Sequence, residues 1–296
     1  MDRNSKPPHF GVSTPIVVQV PGIADRWEAD ATVADLTTIA STADRLGFDY
    51  LTCAEHVAVP TSAENRGVTY WDPLATLSFL AAATTDIRLA TSVLVLGYHH
   101  PLEVAKRYGT LDRLSAGRVT LGVGVGSLEE EFDLLGATWR GRGGRADDAM
   151  KALRASLSRA RPEYHGDHYD YADMVVQPHA VQDRIPLWVG GRSLRSVRRA
   201  VELGDGWMPF GLGIRALREL LGEVDVPAGF EIVLGTPPLD PIWDPDRSME
   251  KITRLLDTGA TSVTCTLTAD SANHYSEQLA ALAELIAPLR NRMENR

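Results

Sequence analysis

Glu55 and His56 stand side by side at the end of an apolar run, Asp49-Tyr-Leu-Thr-Cys-Ala54. An imidazole titrates near neutral pH and is the usual group for proton transfer, and a carboxylate beside it favours its protonated form. A lone histidine at a strand end also serves purely structural ends, so both readings stay open here. Gly190-Gly191-Arg192-Ser193 has a different chemistry. A glycine turn opens a segment whose helical pattern carries Arg192, Arg195, Arg198 and Arg199. Free amides, the positive end of a helix dipole and a guanidinium together suit a bound phosphate. The alternative is a tight turn followed by a solvated basic face.

The third stretch is Leu121-Gly-Val-Gly-Val-Gly-Ser127. Gly122, Gly124 and Gly126 leave one strand face without side chains, which suits a flat ring lying against the backbone. The spacing is G-x-G-x-G, which differs from the dinucleotide fingerprint. Ser127 and Glu130 have the spacing of a capping box, and Glu129, Glu130 and Glu131 would repel a phosphate there. His99-His100 is open to either reading, and His165, His168 and His179 fall in an irregular segment and are read as surface residues. The histidine spacing matches no metal-binding motif and no nucleophile-elbow motif occurs, so neither a metal nor a nucleophilic serine is expected.

These residues need a frame that collects strand ends. Strand signals recur at 10–14, 50–54, 87–96, 118–124, 185–190, 206–209, 230–235 and 262–267. Helical periodicity lies between them, at 31–46, 72–83, from Pro101 to Ala116, 127–135, 147–157, 193–202, 249–256 and 273–289. Asp72-Pro73 reads as an N-cap with a first-turn proline, and Gly47 as a left-handed helix end. Alternation of this kind predicts an α/β fold, a (β/α)₈ barrel with its site at the C-terminal mouth. The 57–71 loop and the 161–184 excursion are insertions at that face. The 296 residues fit one domain, with 1–8 as a frayed tail.

Composition excludes other classes. The net charge of −9 offers no basic face for nucleic acid. No apolar run approaches the roughly 20 residues of a membrane span. Cys53 and Cys265 sit in apolar patterns and read as buried thiols in a reducing cytoplasm. The helix over 74–83 lacks charge, which suits a subunit contact.

The ordered set Leu46-Gly-Phe-Asp through Glu55-His56, Tyr70-Trp-Asp-Pro-Leu, Thr91-Ser-Val-Leu-Val-Leu, Leu111-Asp-Arg-Leu-Ser-Ala-Gly-Arg-Val, Leu121-Gly-Val-Gly-Val-Gly, Glu130-Glu-Phe and Ile185-Pro-Leu-Trp-Val-Gly-Gly resembles the bacterial-luciferase-like monooxygenase superfamily, and its deazaflavin (coenzyme F420) branch in particular. The resemblance runs from Phe10 to about Leu212. It implies a TIM barrel holding a flavin-type ring at its mouth, with a cis peptide at Ser92-Val93 bulging against the ring. It maps a proton-relay pair onto Glu55-His56, a phosphate turn onto Gly190-Gly191-Arg192-Ser193, and the turn after strand four onto Val125-Gly126-Ser127. It also implies a homodimer.

The expected function is hydride transfer between coenzyme F420 and a small organic substrate. The alternatives are an FMN-dependent monooxygenase using dioxygen and, from another class, a non-catalytic flavin-binding barrel. Two positions depart from the branch. Ser127 stands where some sugar-phosphate dehydrogenases carry a glutamate acid, and Glu55 stands where aspartate is usual.

Overall fold

The computed structural model describes residues 7–290, so most of the tail read over 1–8 lies outside the described residues. Its centre is a closed cylinder of eight parallel strands: β1 (His9–Ser13), β2 (Tyr50–Cys53), β3 (Arg88–Thr91), β4 (Val119–Gly124), β5 (Leu187–Gly190), β6 (Gly206–Met208), β7 (Glu231–Gly235) and β8 (Ser262–Cys265). Each pairs with the next, and β8 returns to β1 with Ser262 opposite His9. This is the (β/α)₈ barrel that the alternating pattern predicts.

Nine helices of the described residues surround it: α1 (Val33–Arg45), α2 (Pro73–Ala83), α3 (Pro101–Leu114), α4 (Glu129–Leu134), α5 (Arg142–Ser156), α6 (Leu194–Leu203), α7 (Ile214–Gly222), α8 (Pro245–Leu256) and α9 (Ala272–Arg290). Their starts follow local chemistry. Asp72 Oδ1 accepts from the Ala75 amide at 2.7 Å, ahead of Pro73. Thr32 and Asp35 form a reciprocal capping box on α1.

Some elements differ from the sequence reading. The 87–96 signal is not one strand. It breaks at a cis Ser92–Val93 peptide, after which Leu94–Val95 pairs with Val123–Gly124 of β4. Helix α7 occupies a segment the pattern left as loop, and α5 begins at Arg142 rather than Asp147. The 161–184 excursion holds one short antiparallel pairing, Tyr164–His165 with Asp170–Tyr171.

The lower half of the barrel is plugged. Tyr50 and Trp188 meet edge to face at 5.1 Å between centroids. Glu231 below them accepts from Trp188 Nε1 at 3.2 Å and from Ser262 Oγ at 2.9 Å, and faces Arg88. The Tyr50 hydroxyl bonds Thr264 Oγ1 at 2.9 Å, and Thr264 also belongs to the wall of the cavity above. Packing below and space above place the site at the strand C-termini. Both cysteines are buried and unpaired, and burial pushes each thiol up to about 12. Among the described residues no helix is long and apolar enough to cross a membrane.

Candidate active site

Residues past the ends of β2, β3 and β4 converge on one side of the barrel mouth. Neighbouring residues of an extended chain point to opposite sides, and Glu55 and His56 follow that rule. They do not pair with each other, which corrects the expected Glu55–His56 couple. Glu55 turns inward, buried, and accepts from His99 Nε2 at Oε1 (2.7 Å) and from the Val95 amide at Oε2 (2.6 Å). Its own amide donates to Val93 O at 3.4 Å. Glu55 therefore holds the chain that leaves β3.

His56 turns toward α4. Its Nδ1 lies 2.8 Å from Glu131 Oε2, and its ring meets the Tyr70 ring at 4.6 Å between centroids. Glu131 also accepts from the amides of Val57 at 2.5 Å and Ala58 at 3.2 Å and from the Tyr98 hydroxyl at 2.7 Å. Burial pushes the Glu131 carboxyl up, but the donors from His56, Tyr98, Ala58 and Val57 outweigh it and hold the carboxyl below its usual range. The carboxylate is thus ionised and assigns the proton of His56 to Nδ1. Nε2 makes no hydrogen bond within the described residues, so it is the atom that can take or give a proton.

Sequence reasoning missed Glu131. Its signal was present: Leu128, Glu131 and Phe132 share the buried face of α4 at i, i+3, i+4 spacing, so an acid lay in the apolar stripe. The expected Ser127–Glu130 capping box does not form. The N-cap is Leu128, without a side-chain bond, and Ser127 Oγ instead accepts from Arg66 Nη1 at 2.8 Å. Arg66 and Tyr70, whose hydroxyl donates to Arg66 O at 2.7 Å, bring the 57–71 loop onto the β4 turn.

The glycine face of β4 is not bare. A Cβ at Gly122 would strike Thr91 O, one at Gly124 would lie 2.6 Å from Val93 Cγ2, and one at Gly126 would strike the Phe132 ring. Gly190 of β5 likewise faces Val93, at 3.0 Å. The glycines make room for the chain's own Thr91, Val93 and Phe132, which corrects the expectation that the β4 face is bare. Gly126 has a left-handed φ of 80°, and Val125 packs partly buried against the core.

At β5, Gly191 has φ 123° and its carbonyl accepts from Trp207 Nε1 at 3.2 Å. Ser193 is the N-cap of α6 and exchanges hydrogen bonds with Ser196. The amides of Leu194 and Arg195 keep no intrahelical acceptor by helix geometry. Arg192 is exposed, with its guanidinium over the Phe210 ring at 5.1 Å. Arg199 does not belong to this turn: it is buried and bound to Asp147 and to Gly143 O.

A cavity of about 230 Å³ opens at the centre of the mouth. Ser13, Thr52, Ser92, Thr236, Thr264 and Thr266 line it together with Met208, Phe210, Leu212, Leu217 and Val233. His56 is outside this wall. The β3 bulge touches both regions, with Ser92 on the cavity and Val93 O on the amide beside His56. Among the described residues no cluster of His, Cys, Asp or Glu could hold a metal ion.

The family model described as luciferase-like monooxygenase matches residues 9–229, and the chain belongs to that family. An uncharacterized protein of Mycobacterium tuberculosis, Rv0940c, is 30% identical over 199 residues, 63% of this chain and 68% of that one. Two solved structures share the fold at TM-score 0.74. The monooxygenase RslO1 from Streptomyces bottropensis is 19% identical, with 95% of this chain and 99% of that one covered. The coenzyme F420 dependent tetrahydromethanopterin reductase from Methanopyrus kandleri is 14% identical, with 96% and 99% covered.

Proposed function

We propose that this chain is an oxidoreductase that moves hydride between coenzyme F420 and a small organic substrate, with His56 as the acid–base group. The observation that carries the reading is the His56–Glu131 pair, which fixes one imidazole nitrogen and leaves Nε2 free at the barrel mouth. The motif set shared with the deazaflavin branch supports F420, as does the F420-dependent neighbour. The residues fit such a group. The two free amides of α6 and Arg192 suit its phosphate, and the Ser92–Val93 bulge, with the cavity beside it, suits its ring. A bound deazaflavin supplies a ring carbon that gives or accepts hydride.

The protein's own part is to bind, orient and move a proton. Glu131 keeps His56 in one tautomer and one orientation. Ser92 and the other mouth hydroxyls can orient a polar group of the substrate. Glu55 acts by holding the bulge at Val93 and Val95. We also propose that the protein works in the cytoplasm as a homodimer.

A second reading, an FMN-dependent monooxygenase, is favoured by the family's description and by the neighbour RslO1. The test of the acid–base role is anaerobic oxidation of reduced F420 by a ketone panel. His56→Ala should lower turnover by about 10²–10⁴-fold while cofactor affinity changes little. An unchanged rate would remove His56 from the chemistry.

A further inference from the structure

The mouth cavity suits the cofactor ring, and His56 stands outside its wall. A substrate that meets both the ring and the imidazole therefore lies on the His56 side. Tyr70 is part of that side: its ring meets His56 at 4.6 Å between centroids, and its hydroxyl donates to Arg66 O at 2.7 Å. The Arg66 side chain turns to the end of β4, where Nη1 donates to Ser127 Oγ at 2.8 Å. Ser127 directly precedes the N-cap of α4, the helix that carries Glu131 to His56. One corner of the mouth thus holds a proton-transfer group and a guanidinium.

The charge of Arg66 reaches the neighbours of His56. Burial raises the Tyr70 hydroxyl above its ordinary value, and burial with Glu131 raises that of Tyr98; Arg66 acts against the rise at both. Both tyrosines touch the His56–Glu131 pair. Among the described residues Arg66 has no carboxylate partner, since Glu131 takes His56, Tyr98 and two amides instead. The Ser127 hydroxyl accepts a bond but supplies no charge. Arg66 is partly exposed, and a guanidinium presents its donors in a planar fork that matches a carboxylate. Glu129 and Glu130 are exposed on the first turn of α4, next to Ser127. They oppose a dianion more than a monoanion, so a carboxylate fits this corner better than a phosphate.

We infer that Arg66 is a specificity-determining residue: it takes the carboxylate of an organic acid whose carbonyl or alcohol carbon lies at His56 Nε2. Naming that acid the substrate rests on the oxidoreductase reading; recognition of the anion by Arg66 does not.

Two probes of nearly one shape test it. Phenylglyoxylate carries a carboxylate where acetylbenzoyl carries an acetyl group. Each is titrated into the purified protein, with and without F420, by saturation-transfer NMR. The acid should bind at least about ten-fold more tightly at low salt, and the margin should shrink as salt rises. Arg66→Gln should abolish the preference and leave acetylbenzoyl binding unchanged, while Arg66→Lys should keep part of it. A wild type without the preference overturns the inference. So does an Arg66→Gln protein that binds both probes more weakly to the same degree, as loss of a simple brace for the 57–71 loop would cause. A preference that survives Arg66→Gln and vanishes in Arg192→Gln would place the anion in the phosphate turn and overturn it as well. Arg66-dependent binding of the acid by a protein that turns over no substrate with reduced F420 or FMN would uphold the inference and defeat the proposed function. Turnover of neutral ketones by a protein without preference for the acid would do the reverse.

Discussion

His56 and Glu131 lie 75 positions apart in sequence and 2.8 Å apart in space, joined from Nδ1 to Oε2. The carboxylate that receives the imidazole also closes on two amides of the loop carrying it and on the Tyr98 hydroxyl. One buried acid therefore fixes both the ring and its loop.

Replacing that acid by its amide tests whether the charge matters. Glu131→Gln keeps the size of the side chain and removes the anion that accepts from His56 Nδ1. Turnover should fall about 10–100-fold, the usual scale for a group that orients a reacting imidazole. Cofactor affinity should change little, since the phosphate turn lies elsewhere. An unchanged turnover would reduce Glu131 to a structural brace.

His99 and Glu55 make a second pair with its own pH dependence. Burial pushes the His99 imidazole down, but the hydrogen bond and charge of Glu55 outweigh it, and the folded value lies above the ordinary one. A raised folded value gives stability that is complete below about pH 6.5 and is lost as pH rises through the folded value. His99→Gln should therefore cost about 1.5 kcal/mol of unfolding free energy near pH 6, and clearly less near pH 9. Denaturant unfolding at the two pH values checks this. Equal deficits at both would show that the pair is not charged.

The outward face of α2 bears on assembly. Ala75, Phe79 and Ala82 are exposed on it, Phe79 by 45%, and the helix carries no charged residue. Phe79→Glu should convert the proposed dimer to monomer, read by light scattering at micromolar concentration, with the barrel fold intact. A wild-type monomer would dismiss the dimer.

Much of the frame was legible because its signals are local. Strand runs such as Leu187–Gly190 are bounded by proline and glycine, and Asp72-Pro73 announces a helix start whatever surrounds it. The site was half legible for the opposite reason. That Glu55 and His56 diverge follows from strand alternation, but their partners His99 and Glu131 come from the segment after β3 and from α4, which only folding brings near. The glycines of β4 signalled close approach correctly. What approaches is Thr91 O at Gly122, Val93 at Gly124 and Phe132 at Gly126, and a run of glycines cannot say whether the visitor is a ligand or the chain itself. Ser127 failed as a cap because α4 begins later, with Leu128 at its N-cap, and the Ser127 hydroxyl accepts from Arg66 of a distant loop.

The central claim is that the mouth and the α6 turn hold a deazaflavin. The direct measurement is a pair of fluorescence titrations of the purified protein, one with coenzyme F420 and one with FMN. The account predicts saturable binding of F420, tighter than that of FMN. Affinity for FMN exceeding that for F420 by about ten-fold, or 1.4 kcal/mol, would contradict it and move the chain to the flavin monooxygenase reading.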